Sequence, residues 1–142
     1  MSSPAIEERV IQKVRDLLIA DDVIENYTGK RVYASHISSI EEPKYPAISI
    51  FLLFSNAVFA VPGMTRITLQ IDTWFLSTEH DLADVLTVHG KIKDALHRQN
   101  LIDSTIGIKV AQCIEVNAGP LLFESDTQLF HYPAEYSIVA SL

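Results

Sequence analysis

Apolar residues recur at helical spacing from the start of the chain. Ile6, Val10, Val14, Leu17 and Leu18 fall on one face with Ile11 beside them, while Glu8, Arg9, Gln12, Lys13 and Asp16 lie elsewhere. The spacing predicts an amphipathic helix over residues 4–19. Ser3 is its expected cap, Pro4 suits its first position and Glu7 lies in its first turn. Asp21-Asp22 and Asn26-Tyr27-Thr28-Gly29 predict cap and turn chemistry around a short turn, Val23 to Glu25. Arg31-Val32-Tyr33-Ala34 reads as a short first strand.

The pattern then changes period. After a polar loop from Ser38 to Tyr45, Ala47 to Phe54 is β-rich and almost wholly apolar, as in a strand covered on both faces. Ser55-Asn56 is expected to break it, and Ala57 to Val61 continues apolar to a turn at Pro62-Gly63. Between Arg66 and Leu76, Ile67, Leu69, Ile71, Thr73 and Phe75 alternate with Thr68, Gln70, Asp72 and Trp74, the signature of a strand. Glu79 to Gln99 returns to helical spacing through Leu82, Val85, Leu86, His89, Ile92 and Leu96, with Ser77 or Thr78 as the cap. Ile106, Ile108, Val110, Ile114 and Val116 predict another strand, and Gly119-Pro120 a turn. In the last strand Phe130, Tyr132, Ala134, Tyr136, Ile138 and Ala140 share a face, and Pro133 demotes its early part to an edge or bulge. The short links favour antiparallel pairing. The expectation is therefore a single α+β domain over residues 1–142, with one mainly antiparallel sheet of four or five strands and two helices packed on one face.

Composition narrows the function classes. Eighteen acids against eleven bases give a formal charge of −7, which argues against a basic nucleic-acid footprint. Apolar content is ordinary at 48%, but charged content is only 20%, which suits a surface partly hidden in an oligomer. Residues 1–22 lack the apolar stretch of a signal peptide. The uncharged run between Lys44 and Arg66 contains Pro46, Ser49, Ser55, Asn56, Pro62 and Gly63, so a buried strand and apolar loop fit it better than a membrane span.

Candidate chemistry is sparse. His89 and His97 are two helical turns apart with no HExxH pattern, and His80, Asp81 and Asp84 read as a capped helix start, so no metal is expected. His36 and His131 stand apart in sequence. Cys113 lies inside an alternating strand, where a buried structural thiol is expected, and its being the single cysteine excludes an internal disulfide. There is no GxSxG elbow, and glycines 29, 63, 90, 107 and 119 are too scattered to cradle a phosphate. Asp21-Asp22 and Glu41-Glu42 read as solvated turn residues. No cofactor and no catalytic residue follow.

Two features remain. Phe51, Phe54, Val58, Phe59 and Val61 make an apolar segment denser than one strand needs, leaving burial within the domain or a subunit interface as readings. Residues 101–142 hold five acids and one base, and Glu115, Glu124 and Asp126 are the candidates for an acidic wall that repels a passing polyanion.

The order of several short motifs resembles a family. Gly29-Lys30-Arg31-Val32-Tyr33 is followed by Tyr45-Pro46-Ala47-Ile48-Ser49-Ile50, then Leu69-Gln70-Ile71-Asp72-Thr73-Trp74, a helix from Asp84 to Leu96, and Asp126-Thr127-Gln128 before the last strand. Over about residues 5–140 this layout is similar to the tail terminator, or tail completion, proteins of long-tailed bacteriophages. The resemblance implies an α+β subunit of a hexameric ring at the head-proximal end of the tail tube. Such a ring ends tube growth, offers a docking surface to the head connector and lets DNA pass without specific binding. It implies a place in the virion neck, assembly in the host cytoplasm, and no catalytic residues. Alternatives are another neck component such as a head-closure protein, a small-molecule-binding α+β module, or an enzyme with a site formed across subunits.

Overall fold

The computed structural model describes residues 5–34, 44–59 and 61–142. α1 (Ile6–Ala20) buries Val10, Val14 and Leu18, and Ile6, Ile11 and Leu17 pack around them, which is the face its spacing predicts. Ser3 and Pro4 lie outside the described residues. The expected turn at Val23 to Glu25 is instead a seven-residue helix, α2 (Asp22–Thr28). Asp21 accepts from the Ile24 N–H at 3.0 Å, and Gly29, at φ 56°, ends the helix in the left-handed region. Cap and stop signals stood only about two turns apart, and the fully buried Ile24 anchors the segment.

α3 (Leu82–Leu96) is shorter than the expected Glu79–Gln99 and is capped by Asp81, not Ser77 or Thr78. Asp81 accepts from the Asp84 N–H at 3.1 Å, and Asp84 accepts from the Asp81 N–H at 3.4 Å, a reciprocal capping box. Asp81→Ala should cost about 1 kcal/mol of stability in urea titration. A variant as stable as the parent would mean that the box adds nothing. The buried face is Val85, Val88, Ile92 and Leu96, whereas Leu82 and Leu86 are exposed. The predicted stripe is therefore rotated. Leu82, Leu86, His89 and Lys93 form the neighbouring stripe, and its last two residues meet a sheet carboxylate described below.

The strands are β1 (Val32–Tyr33), β2 (Ala47–Ala57), β3 (Thr65–Leu76), β4 (Val110–Ala118), β5 (Leu122–Glu124) and β6 (Leu129–Ser141), in the order β1-β2-β3-β6-β4, with β5 also on β6. The fold is α+β, with the helices on one face of a mostly antiparallel sheet. β1 departs from the antiparallel expectation, since it runs parallel to β2 through Val32↔Ile48 and Tyr33↔Ser49. Ser55-Asn56 does not break β2, which stays paired to Ala57↔Thr65 after a register shift between Leu52 and Phe54. β2 is covered on both faces only over Ala47 to Ile50.

β3 and β6 follow their alternation. Ile67, Leu69, Ile71 and Phe75, with Ala134, Tyr136, Ile138 and Ala140, face α1 and α3 in one core. Pro133 is not at an edge, because β6 is paired on both sides. It sits where β4 has ended, at Ala118↔Ala134, and β5 has not begun, at Leu122↔His131. The Pro133 carbonyl accepts from the Gly119 N–H at 2.7 Å on that side. A strand residue points its N and its carbonyl the same way, so the missing N–H falls in the gap and the β3 ladder is intact. β4 starts later than expected, after Ile106 and Ile108, and turns Cys113 inward while Ile114 and Val116 are exposed. Among the described residues no helix is long and apolar enough to cross a membrane.

Candidate functional site

β2 and β3 stay paired to Ala57↔Thr65, level with the end of β6, and a tip joins them, of which residues 58, 59 and 61–64 are described and in which Val58 N–H donates to the Met64 carbonyl at 3.0 Å. At the tip Phe59 is 96% exposed, and Val61 is also exposed. Burial within the domain is therefore not the fate of Phe59. Phe51 and Phe54 are three apart and would ordinarily face opposite sides of a strand. The register shift brings both to the face away from the helices, opposite Gln70 and Thr68. Phe54 is 63% exposed, and Phe51 and Val58 are half-buried. The five apolar candidates thus lie on one hairpin, Phe51 and Phe54 on the open face of the sheet and Val58, Phe59 and Val61 at its tip. Across the same open face the pairs Phe54↔Thr68, Thr68↔Ser137 and Ser137↔Ile114 form a row that is apolar at both edges and polar between.

The three acidic candidates do not come together. Glu124 and Asp126 are exposed at the β5–β6 hairpin, where Thr127 Oγ1 donates to Glu124 Oε2 at 3.0 Å. Glu115 is turned inward under α3, with its side chain 7% exposed. The Lys93 ammonium lies 3.0 Å from its Oε2, and His89 Nε2 lies 3.1 Å from its Oε1 without hydrogen-bond alignment. The Glu115 N–H donates to His97 Nδ1 at 2.9 Å. A charge inside is tolerated because α3 supplies its partners. Burial pushes the His89 imidazolium down, Glu115 counters and Lys93 adds to the push. Glu115 is consequently a structural carboxylate and leaves the proposed acidic wall.

Sequence reasoning missed a second polar cluster on the open face. Asp72, 2% exposed, accepts from Gln70 Nε2 at 2.9 and 3.2 Å and lies 3.1 Å from His131 Nε2. The His131 ring stacks on Trp74 at 3.9 Å, and Trp74 Nε1 donates to Ser49 Oγ at 3.0 Å. Tyr33, Tyr45 and Leu76 pack around Trp74, so this end of the face is closed. The cross-strand register Trp74↔His131 needs the fold to be known.

The remaining described candidates make contacts within the fold. His80 Nδ1 lies 3.0 Å from Asp84 Oδ2, and the Tyr27 hydroxyl donates to Asp84 Oδ1 at 2.9 Å. Those two contacts hold the Asp84 carboxyl below its ordinary range. Asp21 is the α2 cap. Cys113 is buried, and burial pushes its thiol up to about 12. Among the described residues no group of three His, Cys, Asp or Glu side chains could hold a metal. His36 and Glu41-Glu42 lie outside them. A cavity of 280 Å³ opens beside β4 at Arg98, Asn100 and Gln112, and one of 420 Å³ between α1 and the loop Ser104 to Gly107.

No protein-family model matches the chain, and no curated protein matches it by sequence. Its fold is similar to that of a chain in the solved structure titled "Virion of native gene transfer agent (GTA) particle", with a TM-score of 0.73 at 14% identity, covering 99% of this chain and 100% of that one. At that identity the likeness is one of fold.

Proposed function

We propose that the chain is a structural subunit of a bacteriophage-like virion, and that it forms the ring which caps the head-proximal end of the tail tube, ends tube growth and receives the head connector. The observation that carries this reading is the end-to-end fold likeness to a chain from a gene transfer agent virion. The motif order from Val32-Tyr33 through Asp72-Trp74 to the last strand favours the terminator role within that class. The exposed apolar tip supplies a contact of the kind such a subunit requires. Tube subunits add head to tail through an interface with no inherent end, so growth stops when a different protein occupies the last ring. In this role the protein works as a homo-oligomer, a hexamer, that touches tube protein on one side and the connector on the other. It performs no catalysis, and DNA passes through it unbound.

Electron microscopy of particles made without this gene tests the reading. The expected result is tails of uncontrolled length that fail to join filled heads, while heads mature normally. Added protein should bind open tube ends and not monomeric tube protein, because the docking surface exists only in the polymer. Normal-length tails joined to heads would rule out termination. Normal-length tails left free beside heads that leak DNA would favour head closure.

A further inference from the structure

The sheet carries two unlike projections, diagonally opposed. The β2–β3 tip lies beyond Thr65↔Ala140, at the β2 edge. The turn of the β5–β6 hairpin lies beyond Leu76↔Leu129, at the other edge. Between Thr65 and Leu76 the separation along β3 is about 36 Å. Each projection exposes large apolar side chains, Phe59 and Val61 on the first, with Phe54 on the sheet below it, and Leu122 and Phe123 on opposite faces of the second.

On the open face of the sheet their charges are opposite. Within residues 45–71 the one ionised side chain is Arg66, exposed on that face, while Glu7 of α1 accepts from Ser55 Oγ at 2.6 Å on the helix face. The hairpin presents Glu124 and Asp126, and residues 110–142 contain no lysine or arginine. A self-matching contact would set Arg66 against Arg66, or the two carboxylates against their own copies. A head-to-tail contact pairs unlike charges and leaves one patch of each kind at the ends of an open assembly, and these meet where the rotation closes the ring.

We propose that the β2–β3 tip of one copy seats on the β5–β6 hairpin of the next, with Phe59 and Val61 against Leu122, and Arg66 facing Glu124 and Asp126. This rests on the ring reading above and names the surfaces that make the ring.

The test mixes two half-defective proteins, Phe59→Asp and Leu122→Asp, and weighs the products by native mass spectrometry. Both sites are exposed, so each variant should keep the parent's circular dichroism and melting temperature. The parent should form a closed ring. Each variant alone should be monomeric, its contact weakened about 10- to 150-fold by loss of one buried side chain. A one-to-one mixture should give heterodimers that grow no further, because one intact tip meets one intact hairpin. If the parent makes rings and either variant still does, or if the mixture stays monomeric, this contact is wrong and the ring reading stands. A monomeric parent overturns both. Should either variant misfold, Arg66→Glu replaces it. That change should break the ring, and adding Glu124→Arg and Asp126→Arg should restore it. Rings that survive Arg66→Glu, or that fail to return, overturn the contact.

Discussion

Phe75→Ala is expected to lower the unfolding free energy by about 3–5 kcal/mol, a large part of the about 5–15 kcal/mol that holds a domain folded. Phe75 lies on the central strand β3 and is fully buried. Its ring meets Tyr27 of α2 at 5.8 Å and His80, just before α3, at 5.0 Å, both edge-on. Truncation removes the transfer energy of the ring and leaves a cavity beneath two helices whose positions other contacts hold. Urea unfolding of parent and variant measures the difference. A loss below about 1 kcal/mol would mean that α2 collapses into the space and that Phe75 is not the joint between α2 and the sheet.

Alkaline solution should unfold the protein through two buried acids. Burial pushes the Cys113 thiol from 9.0 up to about 12 and pushes the Tyr136 phenol up as well. The folded chain keeps these protons where the unfolded chain sheds them, so stability is full below the unfolded values and falls as pH rises through them. Cys113 alone should withdraw about 4 kcal/mol between pH 9 and pH 12, with Tyr136 adding to the loss above about pH 10. In Cys113→Ala the decline should begin about one pH unit later and be shallower, whatever the variant loses at neutral pH. Superimposable alkaline slopes for parent and variant would sink the assignment. On the acid side His89 has the opposite sign. Its lowered pKa favours the neutral ring, so its contribution is present above its unfolded value of 6.5 and is lost as pH falls towards its folded one.

The parts of the fold that were legible are those in which local pattern and burial agree. β3 and β6 each lie with one face under helices, so their alternation reported the core directly. α1 was readable for the same reason. Legibility failed where one element supplies what another lacks. Ile114 and Val116 imitate an inward face, yet β4 turns Cys113 and Glu115 inward, where Lys93 of α3 pairs with the carboxylate and His89 lies beside it. No local pattern around Glu115 announces a partner on another element. Alternation places Asp72 on the face of Thr68, Gln70 and Trp74, but not the packing of Tyr33, Tyr45 and Leu76 that closes that face around Trp74. The apolar excess at Phe59 was visible in sequence, but its nearly complete exposure depends on where the β2–β3 ladder ends.

The gap opposite Pro133 divides that side of β6 between two short tenants. β5 is held by a three-residue ladder, Leu122↔His131 to Glu124↔Leu129, whereas β4 shares its ladder with the full core. No backbone ladder links the two tenants, so rupture of one does not travel into the other. The three-residue ladder therefore opens at lower cost than β4, and amide hydrogen exchange should be faster at Leu122 to Glu124 than along Gln112 to Ile114.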